Sequence, residues 1–106
     1  MVAFTNRERI KEIAAKYAEL LKRELDIESV YLAGSYAKGT NTEDSDIDII
    51  VVSDSFSGDL IKDMLKLMKI RRELDYRIEP HPFTKSEFNP SNPFVEEILN
   101  TSIRIM

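Results

Sequence analysis

Two aspartates separated by one residue stand at the start of a β-branched apolar run, and their spacing could support metal chemistry. They are Asp46 and Asp48, and the run continues to Val52. Alternate residues of a strand point to the same face, so both carboxylates should lie on one face, about 6–7 Å apart along the backbone. Two ionised carboxylates repel each other, and a cation between them relieves the repulsion. Because Mg²⁺ and Mn²⁺ prefer oxygen ligands, the pair predicts a site for one of these ions.

A short segment bounded by two glycines precedes the aspartates. It runs from Gly34 to Gly39 and begins with the pair Gly34-Ser35. Glycine permits positive φ and close backbone approach, and Ser35 offers a hydroxyl and an N–H to an anion. The segment therefore predicts a phosphate-binding turn beside the metal site, although Ser35 as a plain turn residue or helix cap is the alternative. Lys38 is expected either to neutralise phosphate charge or to be solvated.

Two better-known motifs with similar spacing do not fit this stretch. The two glycines have P-loop spacing, but Thr40 stands where the phosphate-binding lysine is required. The acids from Asp44 onward match the start of an EF-hand loop, but Ile49 replaces its glycine and Ser55 its final glutamate. Neither a P-loop nor an EF-hand is therefore predicted.

The remaining pattern resembles the minimal nucleotidyltransferases of the DNA polymerase β superfamily. Their signature is Gly-Ser, a few residues, a glycine, a short loop and Asp-x-Asp on a strand. In this sequence it reads Gly34-Ser35, Gly39 and Asp46-Ile47-Asp48. The resemblance implies a metal-dependent transfer of a nucleoside monophosphate, with Mg²⁺ or Mn²⁺ as the cofactor and ATP as the expected substrate.

The resemblance also implies a third carboxylate, which superfamily members usually add from a neighbouring strand. Asp75 and Glu79 are the candidates, and Glu79 is preferred because it lies nearest the expected end of its strand. Asp75 is expected to pair with Arg77 or Arg71 instead. The implied catalytic and metal-binding set is Asp46, Asp48 and Glu79, and the implied nucleotide-binding set is Gly34, Ser35, Lys38 and Gly39.

His81 is the single histidine of the sequence, and it lies between Pro80 and Pro82. Prolines restrict the backbone, so this segment is expected to be a rigid, extended loop. An imidazole there could donate to a phosphate or shuttle a proton near neutral pH. A loop residue that is merely packed or exposed is the alternative.

Length and composition limit the class of protein. With 106 residues, a hydrophobic content of 42% and a charged content of 32%, the sequence is typical of one globular domain over residues 1–106. It contains no cysteine and no apolar run of membrane-spanning length, which favours a cytoplasmic protein without a membrane partner. The net charge of −4 argues against a nucleic-acid partner.

Apolar periodicity predicts four helices. The first begins at the N-cap Thr5 and ends at about residue 24, and a short helix covers 36–38. The third is expected at 59–71 with Ser57 as its cap, and the fourth follows the N-cap Asn92. The expected buried stripe of the third helix is Leu60, Ile61, Met64, Leu65 and Met68, and that of the fourth is Phe94, Val95, Ile98 and Leu99.

Four strands are expected between these helices, at 29–33, 47–52, 74–79 and 102–105. Pro80 should end the third strand, because proline cannot continue a hydrogen-bonded ladder. The elements together predict a small α/β fold. Its mixed sheet should carry the longer helices on one face and the acidic site on the other.

The sequence supports several functions, of which the leading one is an adenylyltransferase that uses ATP. The acceptor would come from a partner, a homodimer interface or an open cleft. Minimal family members often pair with a helical HEPN-type protein as its antitoxin, which is what the resemblance implies for a partner. The alternatives are a non-catalytic module that binds a nucleotide or a partner and, less favoured because of the acidic net charge, an enzyme that modifies nucleic-acid ends.

Overall fold

The computed structural model describes residues 6–106, in which helices and strands follow one another in the predicted order. The helices are α1 (Asn6–Lys22), α2 (Gly34–Lys38), α3 (Leu60–Arg71) and α4 (Pro93–Thr101). The strands are β1 (Ile27–Ala33), β2 (Ile47–Ser53), β3 (Ile78–Phe83) and β4 (Ile103–Arg104). The predicted cap Thr5 lies outside the described residues. Within residues 6–106, every helix is too short or too polar to cross a lipid bilayer.

The four strands form one mixed sheet in the order β3-β2-β1-β4, which confirms the predicted fold class. β1 runs antiparallel to β2 and β4, whereas β2 and β3 are parallel. β2 is therefore flanked on both sides, and its residue Asp48 lies opposite Ala33 on β1 and Glu79 on β3. This register places the predicted acids of two strands side by side.

The two faces of β2 carry different groups, as strand alternation requires. Ile47, Ile49 and Val51 are fully buried in the main core, together with residues of α1 and α3 such as Tyr17 and Leu67. The opposite face carries Asp48, Ile50 and Val52, and the last two pack in a smaller cluster with Ile98 of α4. The two long helices thus cover one face, and α4 covers part of the face that bears the acid.

The apolar stripe predicted for α3 is wrong, because Leu60, Ile61 and Leu65 are 64%, 72% and 64% exposed. The buried side chains of α3 are instead Asp63, Leu67 and Ile70. The helix carries apolar residues on two faces, and its contact with α1 selects one of them. The Tyr17 hydroxyl fixes that choice by donating to the Leu67 carbonyl at 2.7 Å.

The cap predicted for α3 is also wrong, since Asp59 rather than Ser57 is the N-cap. The Asp59 side chain accepts from the N–H groups of Ile61 and Lys62. Ser57 donates instead to Asp63, through both its N–H and its hydroxyl at 2.9 Å. Burial raises the pKa of the Asp63 carboxyl, but the hydrogen bonds from Ser57 and the Gly58 N–H outweigh it and hold the pKa below its usual value.

We expect Asp63→Asn to lower the free energy of unfolding at neutral pH by about 1–3 kcal/mol, the scale of hydrogen bonds to a charged group. A lowered native pKa stabilises the fold above the unfolded-state pKa, and this stabilisation is lost as the pH falls through the native value. The difference in the free energy of unfolding between wild type and Asp63→Asn should therefore be largest above about pH 4 and become smaller in more acidic solution. Urea denaturation across this pH range measures the difference.

The control is Glu12→Gln, which replaces an exposed carboxylate on α1 and should show the wild-type dependence of stability on pH. If the difference for Asp63→Asn persisted in acid, the charge of Asp63 would not be its cause.

The third strand begins near the point where it was predicted to end, at Ile78, and it includes both Pro80 and Pro82. β3 lies at one end of the sheet formed by the described strands, and an edge strand tolerates proline where the missing N–H faces away from its neighbour. The preceding segment is a turn, in which Arg71 donates to the carbonyls of Tyr76 and Ile78. His81 consequently lies in a strand and not in a loop, two residues beyond Glu79.

Candidate active site

Three side chains with metal-binding chemistry meet on the sheet face that α4 partly covers. Each of Asp48, Glu79 and His81 offers a ligand atom, and these atoms lie within 4.8 Å of one another. The parallel register pairs Asp48 with Glu79 and Ile50 with His81, so the two strands bring all three side chains to one face. The His81 Nε2 lies 3.1 Å from Oδ1 of Asp48, within hydrogen-bonding distance. Two carboxylates and an imidazole are a donor set that suits a divalent cation.

Gly34 lies directly against the Asp48 carboxylate. A Cβ added at this position would lie 3.1 Å from Asp48 Cγ and still closer to its Oδ2, and the backbone φ is +69°. Both the space and the conformation therefore require glycine. Gly39 differs, because its φ is +77° but an added Cβ would meet nothing within 4 Å. Gly39 ends α2, where its N–H donates to the Ser35 carbonyl.

A pocket of about 210 Å³ opens beside Asp48 and His81, between the sheet and α4. Its polar wall includes Asp48, His81 and Lys38. The Lys38 Nζ lies 3.0 Å from Oε1 of Glu97 on α4, and both side chains are substantially exposed. An ion pair this exposed contributes little to stability, so an anion in the pocket could replace Glu97 as the partner of Lys38. The residues that line the pocket are Ala33, Gly34, Lys38, Asp48, Ile50, His81, Phe94, Glu97, Ile98 and Thr101.

Comparison with known protein families gives a match to the nucleotidyltransferase domain over residues 10–104. The chain belongs to this nucleotidyltransferase family. The match spans β1, α2, β2, β3 and α4, which contribute the residues that line the pocket. It therefore confirms both the resemblance seen in the sequence and the assignment of the protein as a nucleotidyltransferase.

Relatives agree with the family assignment. The chain is 33% identical over 95 residues to the "Putative protein adenylyltransferase MJ1379" of Methanocaldococcus jannaschii, covering 89% of this chain and 91% of that protein. The fold resembles the crystal structure of a "putative nucleotidyltransferase" from Sulfolobus solfataricus, with a TM-score of 0.59, 19% identity and coverage of 98% and 89% of the two chains. It also resembles a crystal structure of a toxin–antitoxin with AMP-PNP, with a TM-score of 0.64, 20% identity and coverage of 87% and 72%. At these identities the two structures show a shared fold.

The nucleotidyltransferase fold places the two candidate third acids differently. Glu79 lies beside Asp48, as described above. Asp75 is held in the turn before β3, where its carboxylate accepts from the Arg77 side chain at 3.1 and 2.8 Å. The hydrogen bond from Arg77 holds the pKa of Asp75 below its usual value. Asp75 thus pairs with Arg77, one of the two arginines expected for it.

Asp46 and His81 are the residues whose positions differ most from the sequence expectation. Asp46 is exposed one residue before β2 and is not part of the cluster that Asp48 forms with Glu79 and His81. His81 is part of that cluster, although the sequence placed it in a loop. The signal that could have found it is its spacing of two residues from Glu79, which puts both side chains on one face once β3 is placed at Ile78–Phe83.

Proposed function

We propose that this nucleotidyltransferase transfers AMP from ATP to a hydroxyl group of a partner protein, in a reaction that depends on Mg²⁺ or Mn²⁺. The observation that carries the proposal is the cluster of Asp48, Glu79 and His81, of which Asp48 and His81 line a pocket together with Gly34. The name of the Methanocaldococcus jannaschii relative, a protein adenylyltransferase, supports both the adenylyl group and a protein acceptor.

The donor set fits the metal that the proposal requires. The carboxylates of Asp48 and Glu79 would hold the ion, with His81 beside them and Asp46 as the further acid implied by the sequence motif. A bound divalent metal supplies Lewis-acid stabilisation of the charge that develops on phosphoryl oxygens. Without such a cation, carboxylates this close together would repel each other.

The reaction itself replaces a phosphoanhydride bond of ATP by a phosphodiester bond between AMP and the acceptor. The acceptor oxygen bonds to the α-phosphorus of ATP, the bond to the β-phosphate oxygen breaks, and pyrophosphate and the hydroxyl proton leave. The chain contributes mainly position and charge, as is usual for transfers of phosphoryl groups. Gly34 leaves room for the Asp48 carboxylate, and Ser35, Lys38 and Gly39 are the proposed phosphate contacts. Lys38 would exchange Glu97 for a phosphate oxygen.

The proposed acceptor is a protein that forms a complex with this chain. The fold shared with a toxin–antitoxin structure that contains AMP-PNP supports this choice. A helical HEPN-type toxin is the proposed partner, and this chain would act as its antitoxin by modifying it. Purified candidate partners are therefore the first acceptors to test, ahead of nucleic acids, which the acidic net charge disfavours.

The test is incubation of the protein with Mg²⁺ and ATP labelled at the α-phosphate, in the presence of a candidate partner protein. Wild type should label the partner, whereas ATP labelled at the γ-phosphate should give no labelled protein. Glu79→Gln keeps the side-chain shape and removes a charge beside Asp48, so transfer should fall by at least about 100-fold. ATP affinity, measured by calorimetry, should change much less.

The matched control is Asp75→Asn, which removes a nearby carboxylate that is bound to Arg77 and lies outside the cluster. Its transfer rate should stay within a few-fold of wild type. A large loss in Asp75→Asn with normal transfer in Glu79→Gln would assign the third carboxylate to Asp75. Tight ATP binding by wild type without transfer to any partner would favour the non-catalytic binding module.

A further inference from the structure

Phe94 is the aromatic side chain in the wall of the pocket beside Asp48. The sequence predicted it on the buried face of α4, but only Val95 and Ile98 of that set are buried. Phe94 is 52% exposed, and it lines the pocket together with Ile50 and Ile98. Ligand pockets are commonly lined by aromatic side chains, so a half-exposed ring in this wall is available to contact a bound ligand.

The helix cap holds the backbone of Phe94, and an aromatic neighbour contacts its ring. Asn92 caps α4 by accepting from the Phe94 N–H at 2.9 Å, and Pro93 occupies the first turn, so the backbone under the ring is fixed. Phe83 of β3 stacks against the ring with centroids 6.2 Å apart and planes 25° apart. Phe83 itself packs edge-on against Phe88 at 5.5 Å. The exposed part of Phe94 therefore belongs to a supported aromatic surface.

The pocket combines two kinds of chemistry. The charged or polar side chains of its lining are Asp48, His81, Lys38, Glu97 and Thr101, and the apolar ones are Ala33, Ile50, Phe94 and Ile98. A nucleoside triphosphate has the same division, because its phosphates are charged and its base is a flat ring with apolar faces. Phosphates bound near Asp48 and Lys38 would leave the apolar side chains of the lining to the base.

We propose that Phe94 is the stacking platform for the nucleobase of the nucleotide substrate. The inference rests on the proposed function and adds to it the residue that recognises the base. Stacking on an aromatic ring is tolerant of base identity, because every base has a π-face. The larger purines cover more of the ring than pyrimidines, so Phe94 favours ATP and GTP over CTP and UTP.

The test compares two ligands by calorimetry in the presence of Mg²⁺ and without any acceptor: ATP, and inorganic tripolyphosphate, which has no base. Phe94→Leu should weaken ATP binding by about 10- to 100-fold, the scale of base–aromatic stacking. Tripolyphosphate binding should be unchanged, and Phe94→Trp should keep wild-type ATP affinity. Leu99→Ala, on the same helix but outside the pocket lining, should bind both ligands like wild type.

Two outcomes would overturn the inference. Unchanged ATP affinity in Phe94→Leu would contradict the stacking contact. An equal loss of affinity for ATP and for tripolyphosphate would show that Phe94 only shapes the pocket. Melting temperatures without ligand verify that each variant is folded. These binding measurements need no acceptor, so their result does not depend on whether transfer to a partner is observed. A failure to observe transfer would count against the proposed function alone.

Discussion

Asp48→Asn is expected to lower nucleotide transfer by at least about 1,000-fold, which is the upper range for losing one preorganised electrostatic group. Asp48 lies at the centre of the site, since it contacts His81, adjoins Glu79 and lies against Gly34. The change removes one negative charge and keeps the side-chain shape. The variant should therefore fold, and relief of repulsion with Glu79 should leave its ligand-free melting temperature equal to wild type or higher. Transfer rate and melting temperature with and without Mg²⁺ and ATP are the measurements.

Two nearby aspartates, Asp44 and Asp46, provide a control and a further test for this experiment. Asp44→Asn, in the exposed loop before β2, is the control and should retain transfer. Asp46→Asn tests the other acid of the sequence motif, and a loss comparable to that of Asp48→Asn would include Asp46 in the metal site. Normal transfer by Asp46→Asn would remove it from the predicted set. If wild type and Asp48→Asn showed the same stabilisation by Mg²⁺ and ATP, Asp48 would not bind the metal.

Gly34→Ala should damage both stability and activity. The new Cβ would overlap the Asp48 carboxylate, and the φ of +69° is unfavourable for alanine. Backbone strain contributes about 1–2 kcal/mol of destabilisation, and displacement of Asp48 adds about 1–3 kcal/mol. Because a shift of about 1 Å in a reacting group can cost 100-fold in rate, transfer should fall by more than about 100-fold.

Gly58→Ala provides the matched control for backbone strain. Its φ of +89° is similarly unfavourable, but a Cβ there would meet nothing within 4 Å, and it lies outside the pocket beside Asp48. It should therefore lose about 1–2 kcal/mol of stability and retain transfer in the folded fraction. Chemical denaturation and the transfer assay separate the two effects. A folded Gly34→Ala with full activity would show that Asp48 can move without consequence.

Local sequence was sufficient to predict the centre of the fold. The segment from β1 through Gly34 to β2 has its glycine, acid and apolar positions within about twenty residues, so turn chemistry and strand alternation specify it. The cap of α4 was equally local, because Asn92 and Pro93 are neighbours in the chain. The same reasoning predicted that the face of β2 bearing Asp48 is opposite the long helices.

The features that the sequence did not predict depend on contacts between distant parts of the chain. Pro80 and Pro82 argue against a strand unless β3 is known to lie at an edge, and that is decided by pairing with β2. The buried face of α3 was decided by packing against α1, since the helix carries apolar residues on two faces. The position of His81 beside Asp48 follows from the register of β3 on β2, which no local pattern records.

The outer position of β3 has a consequence for solubility as well as for chemistry. Two of the three clustered side chains, Glu79 and His81, lie on a strand whose far side could act as a template for another chain. Pro80 and Pro82 remove two of the donors that a foreign strand would need. The prolines that made this strand hard to recognise in the sequence thus protect it against amyloid-like pairing.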